Sequence, residues 1–95
     1  MANNVKELIE LNIDTPDGIA DCRLELQDSE RGYYYEATIL YPHIINGFSR
    51  SEIYCYNFIP TGEGQYRIEE TEDGIHPKIK LLEEKIALAI AAHNQ

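Results

Sequence analysis

Basic residues are scarce in this 95-residue sequence, which has 8 Lys and Arg against 17 Asp and Glu and a formal net charge of −9. A chain with this charge repels phosphate backbones and anionic lipid headgroups within the screening length. Nucleic-acid binding draws most of its non-specific affinity from Lys and Arg that displace counterions, and the sequence has no long basic run. We therefore expect neither a nucleic-acid nor a membrane partner.

Long hydrophobic runs are also absent. Met1–Lys6 holds one basic residue, and the apolar residues that follow alternate with polar ones. This pattern predicts neither a signal peptide nor a transmembrane span, so we expect a cytoplasmic protein.

The two cysteines, Cys22 and Cys55, are too few for a secreted disulfide framework and do not form a C-x-x-C motif. We interpret both as reduced thiols that pack like small apolar residues.

Motifs of catalysis and metal binding are missing as well. The sequence has no G-x-S-x-G, no phosphate-binding or dinucleotide-binding glycine pattern and no H-E-x-x-H. We predict no catalytic residue, no cofactor and no metal site. Paired carboxylates for acid–base chemistry are available, but a deep cleft is hard to build from a chain this short. An enzyme of this size would need its site at a dimer interface.

The N-terminal half shows the alternation of half-buried strands. Apolar and polar residues alternate over residues 8–14 and again over residues 20–27. Between them, Thr15-Pro16-Asp17-Gly18 combines a proline and a glycine in the order that favours a tight turn. These segments predict an antiparallel hairpin.

Three further strands are predicted at residues 33–41, 51–59 and 65–69, where residues that suit a pleated surface are enriched. Residues 42–50 contain Pro42 and Asn46-Gly47, and we expect them to form a loop of about nine residues. We expect Pro60 to end the fourth strand.

The C-terminal part has the period of a helix. Apolar residues recur there at spacings of three, four and four: Ile79, Leu82, Ile86 and Ile90. Charged residues fall mostly on the other side: Lys80, Glu83, Glu84 and Lys85. The sequence therefore predicts one α+β domain over residues 1–95, a five-stranded antiparallel meander sheet with one C-terminal amphipathic helix packed on one face.

Strands three and four are apolar at both even and odd positions. Aromatic side chains fall at even positions, namely Tyr34, Tyr54, Tyr56 and Phe58. Odd positions hold Tyr33, Tyr35, Ala37, Ile39, Ile53, Cys55 and Ile59. One helix cannot cover two apolar faces. The second cover is another subunit, a small molecule or peptide, or the sheet curling on itself; alternatively, the Tyr rings lie on a solvated face with their hydroxyls in water.

These patterns favour a non-catalytic interaction module that forms a homodimer through the Tyr-rich sheet face or through an exposed edge. The candidate binding residues are Tyr34, His43, Phe48, Arg50, Tyr54, Tyr56 and Phe58. A first alternative is a small-molecule binder or small enzyme at the dimer interface, with a pocket bounded by Tyr34, His43, Arg50 and Tyr56. A second is an acidic inhibitor of a basic, nucleic-acid-binding protein, since complementary charge speeds encounter. Solubility alone also explains the negative charge.

Overall fold

The computed structural model describes residues 8–30 and 32–94, so the expectation drawn from Met1–Lys6 lies outside the described residues. The described chain forms five strands and two helical segments: β1 Leu8–Thr15, β2 Gly18–Ser29, β3 Gly32–Ile45, β4 Phe48–Gly62, β5 Gln65–Ile68, α1 Pro77–Lys80 and α2 Glu83–His93. The strands lie in the order β1-β2-β3-β4-β5, and all neighbours are antiparallel. The predicted α+β fold, a five-stranded meander followed by a C-terminal helix, is confirmed.

Two-residue turns close the first and third hairpins. The β1–β2 hairpin turns at Pro16 and Asp17, as the sequence predicts. The β3–β4 hairpin turns at Asn46 and Gly47, whose φ angles of 52° and 79° are both positive. Two positive φ angles are the requirement of a primed hairpin turn, and Asn-Gly is the sequence that meets it at least cost.

The predicted loop at residues 42–50 is wrong, because the chain there continues as two paired strands. Pro42 pairs with Ser51 and Ile45 with Phe48 in an unbroken register. The pairing between β2 and β3 ends at Asp21 and Leu40, so Pro42 lies just beyond the last paired residues, with its ring packed against Gly18 of β2. A proline lacks an N–H donor and is tolerated where a strand forms an edge.

Pro60 does not end the fourth strand as expected. β4 continues to Gly62, and Pro60 pairs with Tyr66 of β5. The register shifts between Pro60 and Gly62, which is the irregularity of a bulge. Bulges near the end of a strand accommodate a residue that cannot donate to the ladder.

One face of the sheet and the helical layer form the core. The four apolar residues predicted on the buried side of the helix are all buried. The core consists of Ile9, Ile13, Ala20, Cys22, Leu24, Tyr35, Ala37, Ile39, Tyr41, Phe58, Ile68, Ile79, Leu82, Ile86 and Ile90. Because α2 contacts both β5 and β1, at opposite edges of the sheet, the sheet curls around the helix.

The helix differs from the prediction in two respects. A turn at residues 81–82 divides it into α1 and α2, and Glu83, expected on the outer side, is only 7% exposed. The Glu83 carboxylate accepts hydrogen bonds from the Ile68 N–H at 2.9 Å and, as an ion pair, from Lys80 Nζ at 2.9 Å. A buried charge with such partners ties the helix to β5. In the described residues, neither helix is long and apolar enough to cross a membrane.

The two cysteines lie in different environments. Cys22 is buried in the core as expected, and burial raises the pKa of its thiol to about 12. Cys55 is exposed, so the interpretation of this residue as a packed thiol is wrong. The difference follows from the fold, because Cys55 lies on the face of β4 that the helix does not cover.

Candidate functional site

The hairpin formed by β3 and β4 projects beyond the rest of the sheet. Pairing with β2 ends at Leu40 of β3, and pairing with β5 starts only at Phe58 of β4. Residues 41–53 therefore form a two-stranded ribbon, which we call the arm. The molecule is correspondingly elongated, with extents of 47 × 30 × 25 Å.

The arm exposes large apolar side chains. Ile44 is 71% exposed, Phe48 74% and Ile53 66%, and Ile45 is exposed beside them. The arm's only Asp, Glu, Lys or Arg residues are Arg50 and Glu52, one of each sign, in a chain of net charge −9. Ile45 and Phe48 lie on one face of the arm, and Ile44 and Ile53 lie on the other. Exposed apolar side chains with little net charge around them are typical of a surface that binds another protein.

The outer edge of β4 offers free backbone hydrogen-bonding groups. The Asn57 carbonyl accepts a hydrogen bond from the Glu69 N–H at 2.7 Å, on the side away from β3. Successive residues of an antiparallel strand direct their N–H and C=O groups to alternate sides, and the β3–β4 register is unbroken from Tyr35 to Phe48. The odd-numbered residues of the arm in β4, Ser49, Ser51 and Ile53, therefore direct their backbone groups outward. Within the described residues, no strand pairs with them.

The two edges of the arm differ in how they are protected. On the β3 side, Pro42 lies beside Gly18 of β2 at the start of the open edge, and proline on an edge strand is a common device against unwanted pairing. On the β4 side, residues 48–56 contain no proline and no lysine, and β4 has no bulge there. The β4 edge is thus the one that can accept a further strand.

The aromatic residues do not share one face as the sequence analysis assumed. Tyr35 pairs with Phe58, so odd positions of β3 share a face with even positions of β4. Tyr54, Tyr56 and Phe58 consequently lie on the helix side of the sheet, where Phe58 is fully buried. Tyr34 lies on the opposite face. The Tyr-rich surface is therefore covered in large part by the chain's own helical layer.

At the base of the arm, on the helix side, polar and aromatic side chains meet in what we call the basal cluster: Asp17, Tyr41, His43, Glu52, Tyr54, His76 and Lys78. The Asp17 carboxylate accepts hydrogen bonds from the Tyr41 hydroxyl at 2.7 Å and from Lys78 Nζ at 3.0 Å. These hydrogen bonds, first that of Tyr41 and then that of Lys78, lower the pKa of Asp17. The hydrogen bond to Asp17 raises the pKa of Lys78. The cluster thus joins the β1–β2 turn, β3 and the start of α1.

His43 is the least satisfied member of the basal cluster. Its Nε2 atom is buried without a hydrogen-bond partner and lies 3.7 Å from Glu52 Oε2, beyond hydrogen-bonding distance. The Tyr54 hydroxyl donates to the same Glu52 oxygen at 2.8 Å, and this hydrogen bond is the main cause that raises the pKa of Tyr54. A buried polar atom without a partner is rare in folded proteins, which makes His43 a candidate ligand-binding group.

The helical layer completes the basal cluster. The Tyr54 ring lies 4.9 Å from the His76 ring, centroid to centroid, and the Tyr56 hydroxyl accepts a hydrogen bond from the His76 N–H at 2.9 Å. His76 Nδ1 in turn accepts from the Lys78 N–H at 3.2 Å and caps α1. Across residues 8–30 and 32–94, no three His, Cys, Asp or Glu side chains lie close enough together to hold a metal ion. The cluster is organised for hydrogen bonding.

Other predicted residues lie apart from the basal cluster. Tyr34 lines a cavity on the opposite face of the sheet, together with Asn57, Ile59 and Glu69 among others. Within one chain, Tyr34 lies on the opposite face of the sheet from His43, Arg50 and Tyr56, so these four residues do not bound a single pocket there. His43 and Arg50 are cross-strand neighbours in the arm.

Comparisons with protein-family models, curated proteins and solved structures found no match. The functional assignment therefore depends on the geometry of the described residues. No sequence pattern indicated three members of the basal cluster: Asp17, Glu52 and Lys78. Asp17 was interpreted only as a turn residue, and no local pattern links it to Lys78, which is 61 residues away in the chain.

Proposed function

We propose that this chain is a non-catalytic interaction module that binds a second copy of itself through the arm. The observation that carries the proposal is the arm itself, a projecting ribbon whose Ile44, Phe48 and Ile53 side chains are each at least 66% exposed. This surface replaces the Tyr-rich face as the proposed contact, since that face is covered by the helical layer. Phe48 lies on one face of the arm, and Ile44 and Ile53 lie on the other. Contact between two arms that buries part of these apolar faces supplies the driving force.

The distribution of charge supports a second copy of the chain as the partner of the arm. Most of the negative charge of the chain lies outside the arm, whose own Arg50 and Glu52 balance each other. Two arms can therefore meet with little local repulsion, whereas other surfaces of two copies that each carry −9 repel one another. Arg50 and Glu52 also allow an attractive contact between copies.

Sedimentation at micromolar concentration tests this proposal. We expect the wild-type chain to sediment as a dimer and Phe48→Ser to raise the dimer Kd roughly fivefold or more, because truncation of a central apolar contact costs at least about 1 kcal/mol. Leu81→Ser is the matched control, since Leu81 is also exposed but lies in the turn after α1. A wild-type monomer, or equal effects of both substitutions, contradicts the proposal.

A second candidate function, small-molecule binding at the basal cluster, is favoured by the unpartnered Nε2 atom of His43. A polar ligand that hydrogen-bonds to this imidazole would satisfy it, with Tyr54 and Lys78 nearby to fix orientation. A thermal-shift screen with metabolites is the test, because a ligand that prefers the folded state raises Tm. We expect a hit to disappear in His43→Phe and to persist in His93→Phe, a matched change near the C-terminus. Silence across a broad screen contradicts this candidate.

A further inference from the structure

We propose that two copies pair antiparallel through the outer edges of their β4 strands, with the two-fold axis at Ser51, to form one continuous ten-stranded sheet. This inference rests on the proposed self-association and specifies its geometry. The free backbone groups of Ser49, Ser51 and Ile53 make the edge competent for strand addition. A regular edge whose only charged residues are Arg50 and Glu52 is otherwise a liability for a folded protein.

The side chains of the edge are self-complementary in this register. With Ser51 opposite Ser51 of the second copy, Arg50 of each copy lies opposite Glu52 of the other. Phe48 of each copy lies opposite Tyr54 of the other. The two charge pairs and two aromatic pairs belong to the class of cross-strand contacts that stabilise sheets. All four lie on the helix side of the sheet, because Phe48, Arg50, Glu52 and Tyr54 are even-numbered residues of one regular strand.

The backbone geometry makes these four contacts non-hydrogen-bonded pairs, the type in which opposite residues of an antiparallel ladder are closest. Since the odd-numbered residues direct their N–H and C=O groups outward, Ser51 forms the hydrogen-bonded pair at the axis. The even-numbered residues then form non-hydrogen-bonded pairs, in which opposite Cα atoms approach to about 4.5 Å and side chains are closest. Arg50 and Glu52 are therefore as near to each other as two cross-strand residues can be.

Neighbouring symmetric registers are disfavoured by charge. If the axis moves to Arg50, the two Arg50 side chains lie opposite each other. If the axis moves to Glu52, the two Glu52 carboxylates lie opposite each other. Like charges directly opposite one another destabilise a strand pair. Among these registers, only the axis at Ser51 turns both charges into attractive pairs, and this selects the register.

Charge reversal tests the register. We expect Arg50→Glu and Glu52→Arg each to raise the dimer Kd at least about tenfold, because both cross-strand pairs become repulsive. The double variant Arg50→Glu/Glu52→Arg should return the Kd close to that of the wild type. Arg23→Glu on β2 is the matched control for Arg50→Glu, since it makes the same change in net charge on an exposed side chain outside the arm. A double variant as weak as the single variants overturns the register.

Amide hydrogen exchange tests the edge independently of the charges. As protein concentration rises into the dimer range, the outward N–H groups of Ser51 and Ile53 should become protected. The N–H groups of Arg50 and Glu52 face β3 in both states and should not change. If sedimentation shows a dimer but Ser51 exchange stays independent of concentration, the edge pairing is overturned while self-association stands. A monomer at every concentration instead overturns the proposed function, and the pairing with it.

Discussion

Replacing Phe58 with alanine should lower the free energy of unfolding by about 3–5 kcal/mol, the range for a large aromatic side chain removed from a core. Phe58 is fully buried and lies opposite Tyr35, which is also buried. Surrounding strands and helix cannot collapse fully into the space that the ring leaves, so the lost burial is accompanied by the cost of a cavity. Since domains of this size are stable by about 5–15 kcal/mol, this single change removes a large share of the total.

Phe48 is the matched control for this prediction, because it is the only other phenylalanine of the chain and is 74% exposed. Phe48→Ala should change the free energy of unfolding by less than about 0.5 kcal/mol. Urea unfolding followed by tyrosine fluorescence gives both values, and it is done at a concentration below the dimer range so that association adds no apparent stability. Similar losses in the two variants would contradict the assignment of Phe58 to the core.

The strand and helix patterns could be predicted from the sequence because they are local. Alternation at residues 8–14 and 20–27 and the helical spacing from Ile79 to Ile90 each reflect burial on one side of one element. Both kinds of pattern correspond to buried faces in the structure. Residues 42–50 were mistaken for a loop because Pro42 normally ends a central strand and Asn46-Gly47 favours a turn. The proline is tolerated because the pairing between β2 and β3 ends at Leu40, two residues before it, which no local pattern reveals.

The location of the aromatic residues was missed for a related reason. Even positions on two antiparallel strands share a face only if the register allows it, and here Tyr35 pairs with Phe58, an odd residue with an even one. A two-residue turn at Asn46-Gly47 fixes this parity, because it pairs Ile45 with Phe48. The Asn-Gly pair therefore contained the information that would have separated Tyr34 from Tyr54.

The candidate site was predictable only in part. His43 and Tyr54 were selected from the sequence and meet in the basal cluster, whereas Asp17 and Lys78 reach it through contacts between distant segments. Side-chain clusters of this kind depend on strand order and curvature, which composition does not determine. The acidic-inhibitor hypothesis depends on net charge alone and stays a prediction.

Glu83 shows how a polar residue can be essential to the packing of a helix. Burial by itself raises the pKa of Glu83. The hydrogen bonds that Glu83 accepts from Lys80 and from the Ile68 N–H lower this pKa, as do the positive charges of Lys80 and Arg67. Together these interactions outweigh burial, so the pKa of Glu83 is lowered. The carboxylate also gives the last N–H of β5 its acceptor. Glu83 therefore links α2 to an edge strand of only four residues.

Replacing Glu83 with alanine should lower the free energy of unfolding at pH 7 by about 1–3 kcal/mol, because it leaves the Ile68 N–H buried without an acceptor. Glu83→Gln should cost less, since the amide oxygen can still accept that hydrogen bond while only the charge is lost. Glu84→Ala is the control, as Glu84 is the exposed neighbour on the same helix. Urea unfolding of the three variants at pH 7 measures the order. Equal losses in Glu83→Ala and Glu84→Ala would show that the buried carboxylate contributes nothing beyond helix propensity.

Lowering the pH distinguishes the contribution of the Glu83 charge to stability from that of its hydrogen bond. Folding lowers the pKa of the Glu83 carboxyl from its unfolded value near 4.5. Such a group contributes its full stabilisation at pH values above the unfolded pKa. The contribution is lost as the pH falls through the lower pKa of the folded state. The stability difference between wild type and Glu83→Gln should therefore be constant at neutral pH and shrink below about pH 4.5. Asp17, whose pKa is also lowered, is present in both chains and cancels in this difference. Parallel stability curves from pH 7 to pH 3 would mean that protonation of Glu83 does not weaken the link between α2 and β5.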